Sequence, residues 1–314
     1  MVYKQTNDIL EIFGFPPDFL CEESNLMWAN KSCPFTQTPC TKYNHDMSLV
    51  YGTCSVTSNQ GSVVICPNRL YAEDFKVLKK VADDSFGSGI PFLKFQDYIK
   101  ARQAKLAILE TSTGVVISLG RKSGKEVQVG HQMSMDWVLV HTINGQISSY
   151  VGVEVQSIDI TGNYRDNWLY HKEFRDKNGA TKREKPASCH GYNWANVHKR
   201  LIPQLIRKGV IYSKSNMAAR GLSFILPELV YQRFEKVLGT GFKSPDAITA
   251  DTLTIYTYDL GEFDGKSSRK LELKRTIHVS LKEFSERFIS GTNLPESTKL
   301  DIAVSQALGL AFKE

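Results

Sequence analysis

Val151–Gly152–Val153–Glu154–Val155–Gln156–Ser157–Ile158–Asp159 is the stretch that decides the fold. Apolar residues alternate with small or polar ones, the period of a half-buried strand. Glu154 and Gln156 stand two apart, so both project from one face. A carboxylate and an amide on a core strand are costly unless they have a task. Upstream, Asp136 lies in a second apolar run, 135–140. An Asp on one strand and Glu-x-Gln on the next can bind a hard divalent cation through oxygen ligands. That chemistry points to phosphodiester hydrolysis.

Register tests this idea. Asn144 and Gly145 separate the two runs and are a hairpin signal. A strict two-residue turn there sets Asp136 opposite Val153, and directly opposed residues share a face. Asp136 would then point away from Glu154. The metal site therefore requires a one-residue shift in the hairpin.

Working outward, residues 1–30 read as a helical or irregular lead-in, and residues 31–70 as loop-rich. Runs 71–82 and 92–109 carry helical spacing. Strands are expected at 115–119, 135–143 and 150–160, and a strand at 126–129 begins anew or extends into the Asp136 run. The charged segment 171–190 reads as a long excursion. A helix is expected over 193–209, kinked or interrupted by Pro203. Strand 222–226, helix 227–238, strands 253–260 and 274–279, and helices 281–289 and 298–310 complete an α/β or α+β pattern. Gly120 to Glu126 does not fit a nucleotide-binding loop: three residues separate its glycines and Glu126 follows Lys125. It reads as a turn that delivers Glu126 to the sheet.

Cys33, Cys40, Cys54 and Cys66 cluster within the loop-rich region. Four thiolates can close a tetrahedral site around zinc or iron, and a metal staple has a purpose where no large core exists. Unconnected buried thiols and a disulfide pair are the alternatives. Cys21 and Cys189 read as ordinary thiols.

The 314 residues allow one large domain or a main domain with an appendage. No run of about 18 apolar residues occurs, so no transmembrane helix is expected. The first twenty residues lack the basic and apolar regions of a secretory signal, so a cytoplasmic location is expected. The formal net charge of +6 favours a polyanionic partner.

These residues resemble a family. Cys33-Pro34-Phe35, Cys40, Gly52-Thr53-Cys54 and Cys66-Pro67-Asn68-Arg69 are similar to the metal-binding region of NotI-type restriction endonucleases. Ser134-Met135-Asp136-Trp137 and Glu154 to Asp159 resemble that family's active-site strands, and Asn196 to Arg200 continues the match. The resemblance covers roughly residues 30–210. It implies a PD-(D/E)XK nuclease core of α/β class: a central mixed β-sheet flanked by helices, with a loop-rich, four-cysteine metal-binding region. The domains would be a lead-in (1–30), the cysteine region (31–70) and the nuclease core with a C-terminal extension (71–314). It implies a bacterial type II enzyme, a homodimer making Mg²⁺-dependent double-strand cuts at a palindromic GC-rich site with a GGCC core. A companion methyltransferase would protect the same site. Asp136 and Glu154 would hold Mg²⁺, Gln156 would stand where most such nucleases have lysine, and Glu126 would be an additional upstream acid. The four cysteines would hold one structural iron, or zinc. Affinity for double-stranded DNA would come from Arg165, Lys199 and Arg200, with Lys172, Arg175, Lys182, Arg183, Arg207 and Lys208 as further phosphate contacts. The competing readings are a sequence-nonspecific repair or recombination nuclease and a non-catalytic, metal-stapled DNA-binding protein.

Overall fold

The computed structural model describes residues 7–44, 46–130, 133–291 and 297–309. The first six residues of the expected lead-in and the last residue of the expected closing helix lie outside them. The central sheet has seven strands: β1 (Phe92–Lys94), β2 (Val115–Gly120), β3 (Trp137–Ile143), β4 (Gln146–Val155), β5 (Ala218–Pro227), β6 (Thr252–Leu260) and β7 (Leu271–Ser280). Their spatial order is β7-β6-β5-β4-β3-β2-β1. β4, β5 and β6 are parallel, as are β1 and β2; the β2–β3, β3–β4 and β6–β7 pairs are antiparallel. The helices are α1 (Glu22–Asn30), α2 (Ala72–Phe86), α3 (Phe95–Gln103), α4 (Arg165–Asp176), α5 (Trp194–Asn196), α6 (Ile202–Ser213), α7 (Glu228–Leu238), α8 (Leu281–Ser290) and α9 (Ser297–Leu308).

Strand periodicity sorts the core into two layers. Trp137 and Leu139 of β3 and Val151, Val153 and Val155 of β4 pack with Phe75, Leu78 and Val81 of α2. Val138, Val140, Phe224 and Leu226 face the other way, onto Leu205 and Tyr212 of α6, Phe234 of α7 and Phe284 of α8. Each such side chain contributes about 1.5–3 kcal/mol when fully buried. This is the mixed sheet flanked by helices that the family resemblance implies.

Several local expectations are corrected. Within the expected lead-in, Asp8–Ile12 is a strand, paired antiparallel with Thr53–Ser58, which pairs in turn with Gly61–Val64. That strand carries the buried Glu11, whose partner Arg69 is remote in sequence. Run 92–109 begins as a strand, β1, before α3. Helix α4 occupies the first part of the expected excursion, because Trp168 and His171 are buried and the Trp168 indole N–H donates to the Tyr51 carbonyl at 2.7 Å. Of the two alternatives for run 126–129 the first is observed: Val127–Val129 is a separate strand, paired antiparallel with Met133–Met135, and does not extend β3. The interruption at Pro203 is present: Val197–Leu201 is a π-turn and α6 starts beyond it. Proline has no N–H to donate one turn back, which leaves the preceding turn free to widen.

Candidate active site

Asn144 and Gly145 both take positive φ, 49° and 75°, and close the β3–β4 hairpin with Ile143 opposite Gln146. Beyond the turn, Thr142 pairs with Ile147 but His141 pairs with Ser149, so Ser148 is an extra residue in β4. This bulge moves the register by one. Trp137 then faces Val153, and Asp136 lies level with Glu154. The required shift is present. The Asp136 N–H donates to Glu154 Oε1 at 3.3 Å, and the Val155 N–H donates to Asp136 Oδ2 at 3.1 Å.

Glu154 is buried and its carboxyl pKa is pushed up to about 7, first by burial and then by the Asp136 charge. The Lys208 ammonium of α6 donates a short hydrogen bond to Glu154 Oε2 and opposes that rise. Two hard carboxylates repelling each other in one cleft fit a divalent magnesium, which takes one or two carboxylates and fills its other positions from water and phosphate. Met133, Ser134, Gln156, Gln204 and Arg207 complete the walls of that cleft, about 310 Å³ in volume.

Gln156, just past the end of β4, borders three adjoining depressions. One contains Asp136 and Glu154. The second is lined by Glu126, Arg121, Lys122 and Asp136, and the third by Asp159, Asn196 and Arg200. Glu126 thus reaches the trough from a loop beside the Arg121–Ser123 turn, not from the central sheet as expected. Arg121, Lys122, Arg200, Arg207 and Lys208 flank the trough with positive charge. Sequence reasoning missed Arg121 and Lys122, and it named Lys208 as a phosphate contact without its pairing to Glu154. The available signal was helical spacing: Gln204, Arg207 and Lys208 share one face of α6.

The remaining basic residues divide. Arg165 and Lys199 are exposed and line none of these three depressions. Arg175 is corrected from a phosphate contact to a structural residue. Its guanidinium donates to the Phe19 carbonyl, Ser24 and Asn25, and it stacks over Trp28. Lys172 pairs with Asp176.

Cys33, Cys40, Cys54 and Cys66 come from separate segments and are all free thiols. Burial pushes the Cys40 thiol up to about 11, with Cys66 and Cys33 adding to the rise. Cys54 is raised well above its ordinary value by burial and then by Cys66. The four therefore sense one another. Among the described residues, however, no three His, Cys, Asp or Glu side chains stand in a group that could hold a metal ion. The donor chemistry fits a thiophilic metal and the grouping does not.

Among the described residues, no helix is long and apolar enough to cross a membrane. The chain is 28% identical over 160 residues to the tRNA (guanine(26)-N(2))-dimethyltransferase of Thermococcus kodakarensis, covering 48% of this chain and 40% of that protein. It therefore spans less than half the length of this curated relative. The family model described as restriction endonuclease NotI matches residues 24–220. That span holds the cysteine region, the β3–β4 bulge and the whole carboxylate cleft, and it is more than half of the chain: the protein belongs to the NotI restriction endonuclease family.

Proposed function

We propose that this chain is a type II restriction endonuclease that hydrolyses both strands of DNA at a palindromic, GC-rich site with a GGCC core. The observation that carries the reading is the register of Asp136 with Glu154, set by the bulge at Ser148. The core would be of the PD-(D/E)XK kind, and the working unit a homodimer, because a two-fold target is read most simply by a two-fold protein. A companion methyltransferase would act on the same site.

Asp136 and Glu154 would hold Mg²⁺, which when bound supplies Lewis acidity and lowers the pKa of coordinated water. The chain's own groups do the rest. The Asp136 and Val155 backbone N–H groups fix the two carboxylates. The Gln156 amide can accept from the attacking water or donate to a phosphate oxygen. Water oxygen bonds to phosphorus as the bond to the leaving oxygen breaks; the attacking water gives up a proton and the leaving oxygen takes one. Glu126 would act as an additional acid at the rim. Arg200, Arg207, Arg121 and Lys122 would neutralise backbone phosphates, with Arg165 and Lys199 as outer contacts. The dimethyltransferase relative is named for a nucleic-acid substrate; the basic trough suits a phosphodiester backbone.

Digestion of a fully sequenced long DNA tests the reading. Discrete fragments in Mg²⁺, none in EDTA, with ends sharing one palindrome, are the expected result. A Mg²⁺-dependent smear supports a nonspecific nuclease, and retention of DNA without any cutting supports a binding protein. The family resemblance, against a grouping that among the described residues does not bring three such side chains together, assigns one iron or zinc to Cys33, Cys40, Cys54 and Cys66. Elemental analysis of the purified folded protein is expected to give one such metal per chain, and metal-free folded protein removes the assignment.

A further inference from the structure

We propose that Lys208 is the cation that acts on the scissile phosphate, supplied from helix α6 because the position just beyond β4 that faces the cleft, 156, holds an uncharged glutamine. The inference rests on the nuclease reading above and goes beyond it by naming a further residue and its task. Within the carboxylate cleft, Lys208 stands apart from the other basic side chain, Arg207, which is exposed on the rim. The Lys208 side chain is 11% exposed and touches Glu154 directly. A long cation held that deep loses side-chain entropy and hydration. Surface phosphate contacts do not require that cost.

The fold is built to bring it there. Gly152 lies two residues before Glu154 on the same face of β4. A Cβ at Gly152 would come within 2.1 Å of the Tyr212 ring. Tyr212 is one turn beyond Lys208 on α6, so the absent side chain at 152 lets α6 lie close against β4. Three residues before Tyr212, a Cβ at Gly209 would meet Leu281 of α8 at 2.6 Å. Two close approaches thus clamp α6 at the height that sets Lys208 against Glu154. The pair gives Lys208 a resting position. An ammonium has three donors, so with one on Glu154 Oε2 it keeps others for a phosphate oxygen entering the cleft. There it would offset charge that grows on the non-bridging oxygens as water attacks. The neutral amide of Gln156 carries no charge for that role.

Three proteins test this: Lys208→Gln, the double variant Gln156→Lys with Lys208→Gln, and the unaltered chain. Two readouts are taken, single-turnover cleavage in Mg²⁺ and the salt dependence of duplex binding in EDTA. Lys208→Gln is expected to lower the cleavage rate about 10²-fold or more, with a small change in KM. Its slope of log affinity against log salt is expected to fall by about 1, as for loss of one phosphate contact. Moving lysine to position 156 in the double variant is expected to restore most of both losses. A lysine that merely propped up the fold would not be replaced from another element. Unchanged cleavage and slope in Lys208→Gln overturn the inference and leave the Asp136–Glu154 reading standing. Equal loss in both variants, each melting like the unaltered chain, overturns it as well. If the unaltered chain cuts nothing, the nuclease reading fails, and the salt slopes still decide whether Lys208 meets phosphate.

Discussion

Glu154→Ala is expected to abolish cleavage while the protein keeps its fold and its affinity for DNA. Glu154 supplies one of the two carboxylates at the cleft, and the bulge at Ser148 levels it with Asp136. On the proposed nuclease reading, loss of a ligand to the divalent ion would forfeit several kcal/mol of transition-state stabilisation. At about 1.36 kcal/mol per factor of ten, the rate falls by roughly 10³-fold or more. Asp136→Ala should do the same, because its carboxylate shares the site. Duplex binding in EDTA should hold or tighten in Glu154→Ala, since a negative charge leaves a surface that meets phosphates and Lys208 is freed. The measurement is single-turnover cleavage beside fluorescence anisotropy of a labelled duplex. Cleavage by well-folded Glu154→Ala at the rate of the unaltered chain would sink the assignment.

The second large effect concerns stability. Glu11 and Arg69 are each fully buried, with Nε–Oε2 at 3.0 Å and Nη2–Oε1 at 3.1 Å, and Ser55 Oγ donates to the same carboxylate at 2.7 Å. The Arg69 guanidinium also lies over the Phe35 ring and donates to the Arg269 carbonyl. It therefore ties the Asp8–Ile12 strand to the turn after Cys66 and to the loop before β7. Arg69→Met leaves a buried, uncompensated carboxylate and should cost about 3–5 kcal/mol. For a chain of this size the melting temperature should fall by roughly 10 °C. Replacing both partners, Glu11→Leu with Arg69→Met, should recover much of the loss, because the stranded charge is gone. A single variant that melts within a degree of the unaltered chain contradicts the account. Activity should suffer beyond what melting explains. Two residues on from Arg69, the Tyr71 hydroxyl accepts from the Trp137 indole at 2.9 Å, and Trp137 adjoins Asp136.

Much of the site was legible from residues 135–159. The period of two in the strands put Glu154 and Gln156 on one face, and a polar pair there marked that face as the candidate site. The need for a hairpin irregularity followed from counting across Asn144 and Gly145. The residue that makes it, Ser148, carries no local mark, because a bulge is selected by the packing of both faces. The strand at Asp8–Ile12 was illegible for a related reason: five residues hold too little periodicity, and the partner of its buried Glu11 lies 58 residues away.

The sequence by itself determined the alternation of strands and helices, the carboxylates and amide at the ends of its central strands, and the clustering of four cysteines, because strand and helix periods are local properties of side-chain order. Tertiary structure alone decided that Lys208 meets Glu154 across 54 residues, that Arg175 serves the α1 contact instead of a phosphate, and that Arg121 and Lys122 border the trough. The first outcome depends on how closely α6 approaches β4 and α8. Gly152 and Gly209 set that distance by lacking a side chain, which shows only when the opposing Tyr212 and Leu281 are in place.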